Sequence, residues 1–584
     1  MILFFVISGY LMSKIILNKF DGGEFSLLEF YKKRANRIIP ALLVLILFVL
    51  FFCNFVFFPD MVKTVSYYAM SSILFLSNIS YYFDSGYFDV ASENNPLLHT
   101  WSLSVEWQFY IIYPLVLLLF KKIYGNKKVL FQLIICSLTL LSFLSSIYIS
   151  SRDPSLAFYS FPTRSWEMLF GCLIVLNERK VKNILNEGMR YILAVVSYVS
   201  IFYFIINYND QVLWPSYYTL IPVIATTVII ISDIEFRIFR LKIIQYIGKI
   251  SYSLYLWHWP LYVFFMSWGL SRFRYTFMLL LLSILFSILS YNFVESKRII
   301  EFKKVFYSSV FLLLLSGLLF HFPINKFFIN KDVISLASFN KDYTTKRSKQ
   351  FSSGKCFIST KSNFTDFNKN LCLEFSYTQR NVLLIGDSHA AHYSESLIKF
   401  FKEKNVNLLQ ATTSGGFPVL NSKGRRENTK LWDFMFDEFI PKNNSKIDFI
   451  IISANWVDLQ GYNHNEIEFK IMELMNYLKT NKIDFVFLGQ TEKYSSPFPE
   501  VISKKEMNNF IEVNNFIDIK SVKMNNFLKS FIPNEKYIEL FNMKEILKIS
   551  EDKNTPYMFD DNHFTIFGTD QIINYLEGRK EFEF

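Results

Sequence analysis

Ser388 is the residue of this chain whose surroundings in the sequence are typical of a nucleophile. It belongs to the stretch NVLLIGDSHAAHY (381–393), in which an apolar run is followed by a Gly-Asp-Ser turn and then by a segment that can form a helix. A parallel strand that ends in this way presents a nucleophile at its carboxyl edge. Because a serine hydroxyl is a poor nucleophile until a base takes its proton, the sequence must also supply that base.

The base that we predict is His563, far downstream in the stretch FDDNHFT (559–565). Asp560 stands three residues before it, and a carboxylate at this spacing can hold the imidazole and fix its tautomer. Asp560, Asp561 and His563 could also be read as metal ligands, but further ligands at standard spacing are lacking. The sequence therefore predicts a Ser388–His563–Asp560 triad and no metal site.

Two further strand ends carry groups that could stabilise a developing oxyanion. Gly416 follows the second apolar run, where a backbone N–H can approach a ligand closely, and Asn455 follows the third and offers a side-chain amide. Glycine and asparagine are also common in ordinary turns. We expect these two residues, with the backbone N–H of Ser388, to form an oxyanion hole.

Short apolar runs alternate with helical patterns around these residues. The runs occupy 382–385, 406–411, 449–454, 485–490 and 537–541, and the helical patterns lie near 390–403, 429–440, 465–480 and 503–530. Strands that alternate with helices in this way form a parallel sheet that is covered on both faces. The ligand site of such a sheet lies at the carboxyl ends of its strands.

The rest of the chain has a different composition. The protein has 584 residues, 52% of them hydrophobic, and a formal charge of +11. Basic residues gather in short loops between long apolar runs, which is typical of the cytoplasmic side of a membrane protein and not of a nucleic-acid-binding face. We place membrane-spanning runs near 2–16, 38–58, 106–120, 129–149, 158–176, 190–207, 214–232, 248–267, 274–293 and 303–322.

Alternation of these spans fits the basic loops only if the weaker segment at 65–81 does not cross the membrane. The carboxyl-terminal half then lies outside the cytoplasm, and the amino terminus also starts outside, which suggests that a preceding helix is missing. In an oxidising compartment Cys356 and Cys372 could close a loop as a disulfide. Two free thiols are the alternative.

Several ionisable side chains lie at or within the spans, where they are costly and often functional. Each could be an interfacial anchor or part of an interhelical ion pair, but their number favours a pathway for an anionic ligand or a proton. They are Arg34, Arg37, His99, Glu106, Arg164, Glu167 and His258.

Four motifs in the apolar half resemble the integral membrane acyltransferase family 3. They are FFVISGYLM (4–12), RANRIIP (34–40), LLHTWSLSVEWQFY (97–110) and ISYSLYLWHWPL (250–261). The resemblance implies transfer of an acyl group, usually acetyl, from a cytoplasmic donor that we expect to be acetyl-CoA, with no bound cofactor. It places Arg34 and Arg37 at the cytoplasmic mouth, and His99 and Glu106 in the core. The chain begins inside the second helix of the family pattern.

The carboxyl-terminal half resembles the SGNH, or GDSL-like, esterase and acyltransferase superfamily. Its blocks correspond to GDSH (386–389), Gly416, Asn455 and the pair Asp560–His563. We therefore expect a polytopic all-α membrane bundle followed by an α/β three-layer domain with a parallel sheet. The expected parts are a membrane domain (1–300), a linking transmembrane helix (301–324), a linker with the cysteine pair (325–375) and an SGNH-like periplasmic domain (376–584).

Together these features predict an O-acyltransferase of the bacterial inner membrane. Its acceptor would be an envelope glycan such as lipopolysaccharide O-antigen, capsule or peptidoglycan, and its other partners the acyl-CoA donor and membrane lipid, with no nucleic acid. Two alternatives remain: a membrane-anchored carbohydrate esterase whose membrane domain is inactive, and a non-catalytic transporter or binding protein.

Overall fold

The computed structural model describes residues 1–84, 94–207, 214–270, 273–296, 301–459 and 461–582. The chain folds as two compact units. One, the helical unit, comprises Met1–Ser267 and Arg272–Asn325; the other, the sheet unit, comprises Trp268–Ser271 and Lys326–Phe584.

The helical unit is built from the apolar runs. Its α-helices are Ile2–Asp21, Leu27–Val56, Pro59–Ile73, Ser77–Asp84, Thr100–Leu119, Lys121–Asn126, Lys128–Ser150, Pro154–Tyr159, Phe161–Ile184, Glu187–Asn207, Leu220–Ser232, Lys242–Ser267, Phe273–Ser290 and Phe302–His321. Seven helical stretches among the described residues are long and apolar enough to cross a membrane. They are Ile2–Asp21, Leu27–Val56, Thr100–Leu119, Lys128–Ser150, Glu187–Asn207, Tyr275–Glu295 and Phe302–Phe327.

The weaker segment at 65–81 forms no continuous helix. It is divided between two helices, Pro59–Ile73 and Ser77–Asp84, and Phe75 between them has a φ of 55°. This left-handed conformation is uncommon for a bulky side chain. The break is held in place because the Phe75 ring stacks on Trp107 at 4.6 Å and its carbonyl accepts a hydrogen bond of 3.1 Å from Gln108.

The sheet unit contains one parallel sheet of six strands in the order β1-β3-β2-β4-β5-β6. The strands are β1 (Phe357–Ile358), β2 (Arg380–Gly386), β3 (Val406–Thr413), β4 (Phe449–Ser453), β5 (Asp484–Leu488) and β6 (Tyr537–Ile538). The five predicted apolar runs correspond to β2 through β6. β1 was not predicted, because its two residues lie in a polar segment that the sequence analysis took for a linker.

Helices cover both faces of this sheet. Alternate residues of β2 point into two separate cores, with Leu383 and Ile385 in one and Val382 and Leu384 in the other. The longer helices of the unit are Ser394–Glu403, Arg426–Asp433, His464–Thr480, Phe498–Met507, Ile519–Phe531 and Ile566–Glu577. The chain therefore has the expected architecture, a helical membrane bundle followed by a three-layer α/β domain.

The structure corrects one part of the sequence analysis. The segment at 325–375 was expected to be a linker, but it is folded into the sheet unit. It forms the helices Lys331–Ala337, Phe339–Asp342, Thr344–Gln350 and Lys369–Cys372 and the edge strand β1. Cys356 and Cys372 form a disulfide with a Cα–Cα distance of 5.4 Å, which closes a loop around β1. The segment at 325–375 has the polar composition of a linker because many of its side chains face water.

Candidate active site

The turn after β2 places Ser388 at the carboxyl edge of the sheet. β2 has β3 on one side and β4 on the other, so the order in which successive strands are added to the sheet reverses at β2. Ligands bind at such switch points. Gly386 has a φ of 151°, and a Cβ there would lie 1.7 Å from the carbonyl oxygen of Ser453. Only glycine fits this close approach, and the turn that it permits lets Ser388 begin the short helix Ser388–Ala391.

Asp387 fixes the conformation of this turn. One of its carboxyl oxygens accepts a hydrogen bond of 2.8 Å from the backbone N–H of His389, and the other accepts one of 2.8 Å from that of Asn455. Burial raises the pKa of Asp387 to about 7, although both N–H groups oppose the shift. Asp387 thus joins the serine turn to the loop after β4.

The structure brings Ser388, His563 and Asp560 together. The Ser388 Oγ lies 2.8 Å from Nε2 of His563, and Nδ1 of the same ring lies 2.8 Å from Oδ2 of Asp560. Because an ionised carboxylate can only accept, Nδ1 carries the proton and Nε2 is left to accept from the serine. Asp560 is held in turn through Oδ1, which accepts from the backbone N–H groups of Asn562 (3.0 Å) and His563 (2.7 Å).

Opposing effects set the pKa of the base. Burial alone would lower the pKa of His563, but the charge and hydrogen bond of Asp560, together with the charges of Asp561 and Asp387, outweigh it, and the pKa lies above the usual value of 6.5. Burial acts in the opposite direction on the carboxyl of Asp560, and the same contacts with His563 lower its pKa overall. The pair thus favours a protonated imidazole beside a carboxylate, the state that a general base reaches during catalysis.

Two other histidines contact this site. The ring centre of His389 lies 5.0 Å from that of His563, and the ring centre of His392 lies 6.2 Å from it. Burial holds the pKa of both well below the usual value, so they are neutral near pH 7. They therefore add no positive charge to the surroundings of His563.

The predicted oxyanion donors have other contacts in this conformation. The side-chain amide of Asn455 donates to Oδ2 of Asp458 at 2.9 Å, and its backbone N–H is held by Asp387. A Cβ on Gly416 would lie 2.8 Å from Nε1 of Trp432, so this glycine also serves close packing. The oxyanion role of Asn455 and Gly416 stays a prediction.

Gln350, a residue that the sequence analysis missed, connects the two chain segments that carry the triad. Its buried side-chain Nε2 donates to the carbonyl of His392 at 2.7 Å and to that of Phe564 at 3.1 Å. Its Oε1 accepts from the Tyr343 hydroxyl at 2.8 Å, which itself accepts from the backbone N–H of Ile566 at 2.7 Å. Gln350 thereby links the serine helix to the histidine loop.

Aromatic rings pack around His563. The ring of Phe559 stacks on His563 with centroids 5.7 Å apart, and Tyr343 stacks on Phe559 at 5.1 Å. Phe351 lies 5.8 Å from His563. Tyr343 and Gln350 lie at the two ends of one short helix, and a tyrosine and a glutamine seven residues apart give no sequence signal of a role at this site.

The ionisable candidates of the helical unit form small separate clusters. Glu106 accepts hydrogen bonds from the hydroxyls of Ser8 and Tyr110. The rings of His99 and His258 lie 6.0 Å apart, and the His99 carbonyl accepts from the Tyr255 hydroxyl at 2.6 Å.

The third cluster is a fully buried ion pair of Arg164 and Glu167, separated by 3.3 Å. The Arg164 guanidinium also lies within about 6 Å of the ring centroids of Phe5, Trp101 and Phe158. Of the two remaining candidates, Arg34 is partly buried beside Phe30 and Arg37 is exposed.

Comparison with known families gives two matches that cover most of the chain. A family model described as "Acyltransferase domain" matches residues 1–294, and one described as "SGNH domain (fused to AT3 domains)" matches residues 350–577. The second match begins at Gln350, inside the segment that the sequence analysis took for a linker.

Among curated proteins, the chain is 32% identical over 276 residues to the peptidoglycan O-acetyltransferase OatA of Listeria monocytogenes, covering 44% of each chain. It is 30% identical over 308 residues to the O-acetyltransferase OatA of Staphylococcus aureus, covering 50% of this chain and 51% of that one. The chain thus spans about half the length of these relatives.

Among solved structures, the periplasmic domain of a lipopolysaccharide acetyltransferase from Salmonella ser. Paratyphi A is 17% identical. The match covers 42% of this chain and 98% of that one, with a TM-score of 0.36.

Proposed function

Because the chain belongs to the membrane acyltransferase family and carries a fused SGNH domain, we propose that it is an O-acyltransferase that transfers acetyl groups to a cell-envelope glycan. The observation that carries the proposal is the triad, in which 2.8 Å separates Ser388 from His563 and 2.8 Å separates His563 from Asp560. A serine in this setting can hold an acyl group as an ester.

In the first half of the reaction, Ser388 takes the acyl group. Its Oγ attacks the acyl carbonyl of the donor while His563 Nε2 removes the hydroxyl proton, and Asp560 stabilises the imidazolium that forms. The bond between the acyl group and the donor breaks, and His563 gives the proton to the leaving group. The products are the Ser388 ester and the free donor group.

In the second half, a glycan hydroxyl takes the acyl group. It loses its proton to His563 as its oxygen attacks the ester carbonyl. The bond to Ser388 Oγ then breaks, and the same proton returns to the serine. The glycan leaves as an ester, and if water attacks in its place the enzyme acts as an esterase.

The helical unit would pass the acyl group from acetyl-CoA on the cytoplasmic side. Buried polar clusters within apolar helices support this role, since such groups are costly in lipid and line pathways for charged or reactive ligands. Glu106 with Ser8 and Tyr110, and His99 with His258, are the clusters that we assign to it. Arg34 and Arg37 would attract the anionic phosphates of coenzyme A.

We place the protein in the bacterial cytoplasmic membrane with the sheet unit on the outer side. The apolar helices and the family establish a membrane protein. The Cys356–Cys372 disulfide supports an oxidising compartment for the sheet unit. Basic loops between the apolar runs support the same orientation.

The test is acetyl transfer by the full chain in proteoliposomes with acetyl-CoA and a glycan oligosaccharide. We expect transfer by the wild type and a loss of at least about a thousandfold in Ser388→Ala, because removing a triad member costs several orders of magnitude. Ser530→Ala, which alters an exposed serine on another helix, is the matched control. Deacetylation without transfer would favour the esterase, and full activity of Ser388→Ala would exclude the triad.

A further inference from the structure

A set of polar contacts connects the serine turn to the loops after β4 and β5. Asn455, just past β4, donates through its backbone N–H to Asp387 and through its side chain to Asp458. The Nζ of Lys493, five residues past β5, forms a short ion pair with the same Asp458 oxygen, Oδ2. All of these residues lie at the carboxyl edge of the sheet, the edge that carries Ser388.

The segment after Lys493 is attached to the loop of the catalytic histidine. The backbone N–H of Tyr494 donates to the carbonyl of Asp561 at 2.8 Å, and that of Phe498 donates to the carbonyl of Asp560 at 2.9 Å. Lys493 therefore stands between Asp458 on one side and the Asp560–His563 loop on the other. These contacts connect the turn of Ser388, through Asn455, Asp458 and Lys493, with the loop of His563.

The exposure of these groups differs in a way that bears on access. Ser388 and His563 are 5% and 7% exposed. The side chain of Asp458 is 47% exposed and that of Lys493 is 16% exposed. The pair is thus more exposed than Ser388 and His563, with which it shares the carboxyl edge of the sheet.

The pair has the chemistry to recognise adjacent hydroxyl groups. Both contacts of the Asp458 carboxylate go to Oδ2, which leaves Oδ1 able to accept, within the part of the chain that the structure describes. The Lys493 ammonium has three N–H donors, of which Asp458 takes one. A donor and an acceptor side by side match two neighbouring hydroxyls of a sugar ring, and the opposite charges disfavour an anionic ligand.

We propose that Asp458 and Lys493 form the acceptor subsite and bind a neutral sugar through two adjacent hydroxyl groups. The inference rests on the proposed transferase function and specifies its acceptor. The charge of Lys493 is kept in place although burial would lower its pKa, because Asp458 and Asp561 act in the opposite direction and raise it. The subsite therefore keeps its cation near neutral pH.

The test uses the full chain in detergent with 4-nitrophenyl acetate as acyl donor, so that acylation of Ser388 does not depend on the helical unit. Hydrolysis and transfer to neutral oligosaccharides of hexose and N-acetylhexosamine are measured together. In Lys493→Met and Asp458→Asn we expect the ratio of transfer to hydrolysis to fall about 10-fold to 100-fold, the effect of losing one hydrogen bond to a charged group. Lys493→Arg keeps the charge and the donors and should restore most of the ratio.

Lys536→Met is the matched control. Lys536 pairs with Asp484 at the opposite end of β5, and its side-chain exposure of 24% resembles that of Lys493. The ratio should not change in this variant. An unchanged ratio in Lys493→Met, or an equal fall in Lys536→Met, would overturn the subsite.

Two further outcomes keep the test decisive. If the Lys493 and Asp458 variants fail to fold, deoxy analogues of the best oligosaccharide are tried on the wild type. If two adjacent hydroxyls are bound, removing either hydroxyl should raise the KM for the oligosaccharide by about 10-fold to 100-fold. Unchanged KM values would overturn the inference. Failure of the proposed function is seen separately, as hydrolysis and transfer that survive in Ser388→Ala.

Discussion

At the scale of single residues, the catalytic proton is controlled by the balance around His563. Burial lowers the pKa of the imidazole, while Asp560 and, less strongly, Asp561 and Asp387 raise it, and the carboxyl groups together prevail. The neutral rings of His389 and His392 leave that balance undisturbed. His563 is therefore unprotonated, as the proposed general base must be, only on the alkaline side of a pKa that lies above 6.5.

Asp560→Asn should shift this pH dependence. Without the carboxylate the two largest raising effects are lost and burial remains, so the pKa of His563 falls and the acid limb of kcat/KM moves to lower pH. The rate itself should fall by about a hundredfold to ten-thousandfold, because the imidazolium loses its partner. The measurement is 4-nitrophenyl acetate hydrolysis between pH 5 and 9.

Asp484→Asn, at the amino end of β5, is the control and should leave the profile in place. An acid limb that moves to higher pH in Asp560→Asn would contradict the account of the pKa given above.

At this scale the sequence was informative wherever chemistry requires a fixed spacing. Asp560 and His563 share one turn, and Ser388 follows an apolar strand, so residue types and order were enough to predict them. Gln350 could not be predicted in this way. Its side chain binds the backbone carbonyls of His392 and Phe564. Because every residue has a backbone carbonyl, the residue types of these partners give no sign of the contact.

At the scale of secondary-structure elements, the helix Thr344–Gln350 holds the site together through the side chain of its last residue, Gln350. Gln350→Leu removes the amide and leaves the carbonyls of His392 and Phe564 buried without a donor. We expect the free energy of unfolding of the sheet unit to fall by about 1–3 kcal/mol. We also expect kcat for ester hydrolysis to fall at least about tenfold with little change in KM, because the distance between Ser388 and His563 is no longer fixed.

The control is Gln379→Leu, which alters an amide that bonds Asn405 at the amino end of β2. Urea unfolding and steady-state kinetics on both variants give the comparison. A rise in KM with unchanged kcat in Gln350→Leu would show that the residue acts on binding and not on alignment of the triad.

The elements were predictable in proportion to their length. β2 through β5 are runs of five to eight residues that alternate between two cores, and the apolar patterning identified them. β1 has two residues, and the helices that precede it are short and polar on one side, so the segment looked like a linker. What places it in the fold is tertiary: pairing with β3, a disulfide and buried Gln350.

At the scale of the whole molecule, the chain consists of two units, each with its own cores. We expect residues 326–584, expressed alone in an oxidising compartment, to fold and to hydrolyse 4-nitrophenyl acetate, but not to use acetyl-CoA. The shorter fragment 376–584, bounded as the sequence analysis proposed, lacks β1, the disulfide and Gln350.

The shorter fragment should be less stable by about 1–3 kcal/mol or more, because it loses the pairing of β1 with β3 and leaves the buried carbonyls of His392 and Phe564 without the Gln350 donor. It should also hydrolyse the ester poorly. Urea unfolding and ester hydrolysis on the two fragments make the comparison. Equal stability and rate would mean that residues 326–375 contribute nothing to the fold or the triad.

The location of Gln350 also has a consequence for limited proteolysis of the chain. A protease that cut the chain just before Phe339 would shed a soluble protein in which the glutamine still joined the serine helix to the histidine loop. A cut between Phe351 and Arg380 would instead separate that glutamine from the triad, and the disulfide would join the two pieces only if the cut fell between Cys356 and Cys372. By the positioning role assigned to Gln350, we expect the first product to keep its hydrolysis of 4-nitrophenyl acetate and the second to lose most of it.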